Sequence, residues 1–137
     1  MSTKHEAGSL ILRLVLGISF LVHGWIKFQS GIDNIAGWFQ SIGLPGFAAY
    51  AVAVIELVGG IALIVGIGTR IVSVLFALIM VGAILLVKLA AGFAGNGQMP
   101  GYELDLAFLA MAIYLALNGS RLYSLGSLFG SNPKNAA

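Results

Sequence analysis

Apolar residues run along this chain in four long blocks, about Gly8–Phe28, Pro45–Gly68, Thr69–Leu89 and Tyr102–Gly119, with polar residues gathered between them. Each block has roughly the 17–25 residues that cross a ~30 Å hydrocarbon layer as a helix. Short connections between four such helices predict a single all-α membrane domain over residues 1–137, folded as an antiparallel four-helix bundle.

The first connection has a pattern of its own. Ile32, Ile35, Phe39 and Ile42 recur at helical spacing beside Trp38, which predicts a short amphipathic helix at the outer interface, either covering the end of the bundle or gating it. Ser30 and Asp33 resemble a capping pair, and Gly43 with Pro45 supplies a stop. The connection 91–101 holds Gly92, Gly95, Gly97 and Gly101, so its backbone is weakly restrained and reads as a linker or a mobile lid. After the last block, Leu122, Leu125, Leu128 and Phe129 are placed along the inner interface, and 130–137 reads as a flexible tail.

Composition agrees with the blocks. The chain is 59% apolar and 9% charged, with mean hydropathy +1.00, far from a soluble domain. Arg13 and His23 interrupt the first block and no small-residue cleavage site follows, so it reads as a span rather than a cleaved signal. The net charge of +2 contains no basic cluster, which argues against nucleic acid as a partner. Lys4, Arg13, Arg70, Arg121 and Lys134 fall on one side of the predicted bundle, against Lys27 and Lys88 on the other. By the positive-inside rule both termini are cytoplasmic in a bacterial plasma membrane.

The chemistry starts at Glu56. A carboxylate in mid-span costs at least about 2.5 kcal/mol and by default faces the bundle interior and marks a site. Counting ~1.5 Å per residue, Glu56 lies roughly 15 Å and His23 roughly 7 Å below the outer edge, whereas the other ionisable residues can snorkel to an interface. Ala49, Ala53, Glu56 and Gly60 form a stripe of small residues, the kind of face along which membrane helices approach closely. His23 and Lys27 share a face of the first helix near Gly17, Phe20 and Gly24. A His23–Glu56 connection, direct or bridged, is therefore expected. A register-fixing pair without ligand chemistry is the plainer reading of the same residues.

Of Glu103 and Asp105, two positions apart, only one can face the pocket, and Lys88 is a partner for either. Arg13, Arg70 and Arg121 read as structural charges at the inner interface, with Arg13 deep enough to reach polar groups at the turn between the second and third blocks. Trp25, Trp38, Tyr50 and Tyr102 suit an aromatic belt.

The absence of cysteine excludes dithiol exchange and thiolate-held clusters or metals. With His5 and His23 as its only histidines, the chain cannot hold a bis-histidine haem in its core, and it has no glycine-rich nucleotide motif or predicted metal site. A redox role then needs an organic cofactor such as a menaquinone-like quinone, or a partner protein. His23, Lys27 and Glu56 are the candidate proton donors and relay, and Lys88, Glu103, Asp105, Phe20 and Trp25 the candidate substrate contacts.

Several segments carry a family likeness. Arg13-Leu14-Val15-Leu16-Gly17, Phe20-Leu21-Val22-His23-Gly24-Trp25-Ile26-Lys27-Phe28, Gly43-Leu44-Pro45, Glu56-Leu57-Val58-Gly59-Gly60, Gly66-Ile67-Gly68-Thr69-Arg70, Tyr102-Glu103 and Arg121-Leu122-Tyr123-Ser124-Leu125 together resemble the DoxX family of small four-helix membrane proteins, in its CatD-type branch. The resemblance implies an oxidoreductase-like plasma-membrane protein linked to quinone chemistry, oxidative stress and resistance to catechols. It marks Arg13, His23, Lys27, Glu56, Arg70 and Glu103 as the family's polar positions. Lys88 stands where many members carry histidine, and Gly126 where aspartate is frequent.

Three functions fit these residues. The chain binds a quinone or catechol-like molecule and supports its redox detoxification, as an enzyme or a subunit of one. Alternatively it anchors a soluble oxidoreductase or dioxygenase at the cytoplasmic face, or it transports small phenolics, for which four helices would need a homodimer.

Overall fold

The apolar blocks and the amphipathic connection fold into five helices: α1 (Thr3–Gln29), α2 (Ile32–Ser41), α3 (Phe47–Val65), α4 (Thr69–Ala83) and α5 (Glu103–Asn118). The structure, a computed structural model, describes residues 3–98 and 100–126, and among these there is no strand. The expected tail and the placement of Leu128 and Phe129 fall outside the described residues. Among the described residues three helical stretches are long and apolar enough to cross a membrane: Thr3–Gln29, Phe47–Val65 and Thr69–Ala91. The third runs past α4 through a π-helical turn, Ile84–Lys88, and a short 3-10 turn, Leu89–Ala91. The 16 residues of α5 reach about 24 Å.

α1, α3, α4 and α5 share one core built on Leu16, Phe20, Leu63, Phe76, Phe108 and Leu115. Phe20 is its centre, stacked on Phe76 at 3.9 Å between ring centroids and tilted against Phe108 at 5.7 Å. The small-residue stripe of α3 is wholly buried. There α1 and α3 meet backbone to backbone. A methyl group on Gly60 would sit 2.6 Å from the Leu21 nitrogen and 2.7 Å from the Gly17 carbonyl oxygen; one on Gly24 would sit 2.8 Å from the Leu57 nitrogen. Neither neighbour is a side chain that can swing away. Gly60→Ala is accordingly expected to cost about 1–3 kcal/mol by forcing the helices apart. Gly82→Ala, with nothing within 4 Å, serves as the neutral comparison in the same thermal-unfolding series.

The contacts also set the register of this antiparallel pair. Gly24 lies against Ala53 and Leu57, and Gly60 against Gly17 and Leu21, so Glu56 is level with His23. The expected offset between them came from treating the outer ends of the two helices as flush. In fact Pro45–Ala49 stand about 7 Å beyond the end of α1.

The capping expectation for α2 is not met. Its N-cap is Gly31 at φ +95° with no side-chain cap, and Asp33 instead accepts a hydrogen bond from the Tyr50 hydroxyl on α3. That bond ties α2 to α3, against which it packs. Between the 3-10 turn and α5, the Tyr102 and Glu103 amides donate to the Gly92 and Phe93 carbonyls at 3.2 and 3.0 Å. Phe93 and Tyr102 meet edge to face. The ends of this connection are thus pinned together.

Arg13 also departs from expectation. It is no interface anchor but is 1% exposed, and its partners are not at the α3–α4 turn. Nη1 donates to the Ser120 hydroxyl at 3.2 Å and the Leu122 carbonyl at 3.1 Å, and Nη2 to the Tyr123 carbonyl at 3.0 Å. The segment after α5 folds back under the core to supply these acceptors. The Leu125 and Gly126 amides then donate to the Val65 and Gly66 carbonyls, each at 2.9 Å. Gly66, at φ +78°, permits this crossing, because a Cβ there would collide with Ser124. Arg70 and Arg121 are exposed, as expected of surface charges.

Candidate functional site

Toward the end of the molecule where α1 finishes and α3 begins, the helices part around a cavity of about 490 Å³. Every helix contributes to its wall. Phe20, His23 and Lys27 come from α1, Ala48, Val52 and Glu56 from α3, and Asp105 and Phe108 from α5. Trp38, Phe39 and Ile42 cover it from α2, and α4 with its π turn supplies Leu78, Gly82, Leu86 and Lys88.

Two ion pairs meet this space. Lys27 Nζ is 2.6 Å from Glu56 Oε1, with the glutamate side chain 4% exposed and the lysine 24%. Lys88 Nζ is 3.0 Å from Asp105 Oδ2, with exposures of 24% and 9%. The partner of Glu56 is thus Lys27. His23 lines the same cavity and presents its ring edge-on to Phe108, centroids 6.3 Å apart.

Helix geometry explains this choice although His23 is level with the carboxylate. Side chains on a helix lean toward its N-terminus. On α1 that direction leads inward, so the Lys27 stem reaches back a turn toward Glu56 while the shorter imidazole leans away from it. On antiparallel α3 it leads outward, so Glu56 leans toward Lys27. The two side chains converge.

The second pair sits at the π turn: Lys88 is its last residue, and the wider coil turns each residue less far around the axis than an α-helix does. Asp105, in the first turn of α5, is the acid that faces inward; Glu103, two residues earlier, is exposed and off the cavity wall, as their spacing requires. Trp25 is likewise 56% exposed and takes no part in the wall. Of the candidates read from the sequence, the structure therefore gathers His23, Lys27, Glu56, Lys88, Asp105 and Phe20, and leaves out Glu103 and Trp25. Sequence reasoning missed Phe108 and the α2 aromatics as cavity residues. The apolar stripe of α2 had signalled a helix covering or gating the end of the bundle, without marking Trp38 and Phe39 as cavity residues.

The arrangement offers two ammonium groups and an imidazole as hydrogen-bond donors, set in an otherwise apolar enclosure whose size suits a small ligand. Among the described residues no cluster of acids and histidines is placed to hold a metal ion.

Residues 8–89 match the DoxX family, a stretch that includes His23, Lys27, Glu56 and Lys88 and ends before Asp105. The chain is 47% identical over 135 residues to the protein named "Putative oxidoreductase CatD" of Bacillus subtilis, covering 98% of this chain and 96% of that one. It is 35% identical to an uncharacterized membrane protein of Mycobacterium tuberculosis, over 85% of this chain and 77% of the other. It is 28% identical to the inner membrane protein YqjF of Escherichia coli, over 93% and 96% of the two chains. No solved structure matches it significantly.

Proposed function

Because the chain belongs to the DoxX family of membrane proteins, we propose that it is a membrane-embedded oxidoreductase component that binds a quinone or catechol-like molecule in this cavity. The observation that carries the proposal is the convergence of His23 and two lysine–carboxylate pairs on one apolar space of about 490 Å³. In this reading α5 is a short fourth span, completing a four-helix bundle, and α2 lies in the outer interface above the cavity. The termini and Arg70 face the cytoplasm, following the distribution of basic residues.

Reducing a quinone to a catechol or quinol takes two electrons and two protons, one proton ending on each carbonyl oxygen. The chain has no cysteine to carry electrons, so a partner reductase supplies them. Its own residues handle the oxygen atoms and the protons. A ring between the two pairs places a carbonyl near each ammonium, where positive charge stabilises the oxyanion that develops as electrons arrive. His23, exposed on the wall, delivers one proton and a lysine ammonium the other, and each regains its proton from water once the quinol has formed. Phe20 and Phe108 provide an aromatic surface for the ring.

Titration of the purified protein in nanodiscs with a menaquinone analogue tests the proposal, read by quenching of tryptophan fluorescence. Saturable binding is expected, weakened about tenfold by His23→Ala through loss of one hydrogen bond. No saturable binding removes the redox reading and leaves the chain a membrane anchor for a soluble enzyme.

A further inference from the structure

The walls of the cavity are not equally closed. α2 packs on α3 and α1 but has at most marginal contact with α4, although residues of both line the same space. The residues that line the cavity and are also exposed include Trp38 and Ile42 on α2, and Leu78 and Leu86 on α4 and its π turn. Their exposures are 44, 38, 64 and 58% in that order, so they form the rim of a mouth between the two elements, and the rim is apolar. The carboxylates lie further in, Glu56 at 3% exposed and Asp105 at 6%, with the side chains of their lysine partners at 24%.

An apolar mouth of this kind suits the hydrocarbon of a bilayer. A water-soluble phenol gains nothing from an apolar rim, whereas a hydrocarbon chain resting on it stays in surroundings like those it left. The interior restricts the other end of the ligand. Two lysines are balanced by two carboxylates, so the floor carries no net charge when His23 is neutral. An anionic phosphate headgroup would have to compete with the carboxylates for the lysines. A neutral ring with oxygen acceptors can instead accept hydrogen bonds from ammonium groups that remain paired.

We infer that the ligand is a lipid-soluble quinone with a hydrocarbon tail, which enters sideways between α2 and α4, places its neutral ring among the ion pairs, and leaves its tail across Ile42, Trp38, Leu78 and Leu86. Resting on the quinone reading above, this makes the α2–α4 mouth a specificity-determining surface, selecting membrane quinones over free catechols. The π turn has a part in both halves of the site, since it carries Leu86 at the rim and Lys88 on the floor.

The test compares a menaquinone bearing an isoprenoid tail with menadione, a naphthoquinone ring without one, in nanodiscs, with affinities referred to the ligand present in the bilayer. With the bilayer as reference the tail gains little, so the two compounds are expected to bind the wild type within about threefold of each other. Leu78→Trp and Ile42→Trp, which crowd the mouth, should weaken the tailed compound about tenfold and menadione markedly less. Ile71→Trp, on the exposed face of α4 and off the cavity wall, should change neither. Equal weakening of both compounds by the mouth variants, or of neither, overturns the lateral-entry inference while the ring site stands. If neither compound binds, the quinone reading fails and this inference fails with it.

Discussion

Replacing Lys27 with methionine is expected to destabilise the protein by about 3–5 kcal/mol, because it strands the Glu56 carboxylate in a space where water cannot replace the lost partner. Glu56 is 3% exposed, deep between α1 and α3, and Lys27 Nζ at 2.6 Å is its ionic partner. Lys27→Met combined with Glu56→Gln should recover most of the loss, since removing both charges removes the desolvation penalty as well as the attraction. Unfolding in detergent of the wild type, the two single variants and the double variant completes the cycle. A Lys27→Met protein as stable as wild type would show that Glu56 does not depend on this pair. Ligand binding separates stability from function: the double variant should fold yet bind a quinone weakly, having lost one ammonium donor.

The second large effect is expected at the other end of the molecule. Arg13→Met removes the donors to the Ser120 hydroxyl and to the Leu122 and Tyr123 carbonyls. A buried acceptor left without its partner costs about 1–3 kcal/mol; Ser120 is fully buried whereas the bonds to Leu122 and Tyr123 are part-buried, so a total near 2–4 kcal/mol is expected. Arg13→Lys should rescue little, because one ammonium cannot reproduce the planar fork that bonds three residues at once. The signature of the loss is local. Amide exchange should rise over 120–126, where the Leu125 and Gly126 amides hold the α3–α4 turn, and the cavity at the opposite end should still bind its ligand. Unchanged exchange over 120–126 would mean that the strap holds without Arg13.

These two residues also show how far the sequence could be read. The depth of Glu56, and the small residues around it on α3, were enough to predict that it is buried against protein, and it is. Its partner was not legible, because the choice between His23 and Lys27 depends on the relative height of two helices. That height is set by Gly17, Gly24 and Gly60 in contact with the opposing backbone. Arg13 was legible as a deep cation and misread as an anchor, since its acceptors lie more than a hundred residues away in the segment after α5. The spacing of Glu103 and Asp105 required that only one of them turn inward, but which one depended on the packing of α5. The capping pair at Ser30 and Asp33 failed for a similar reason: the Tyr50 hydroxyl across the helix pair is a better partner for Asp33 than the local backbone.

By itself, then, the order of residues determined that the chain is helical, that its apolar stretches are long enough for a bilayer, and that a carboxylate is buried among them. Those properties follow from hydrophobic run length and helical period, which any segment carries within itself. Tertiary structure alone decided that Lys27 and Glu56 meet, that Lys88 at the π turn meets Asp105, and that α2 and α4 leave an apolar mouth between them. Each of these depends on how far one helix slides along another, a distance fixed by side chains and glycines that are neighbours only after the chain has folded.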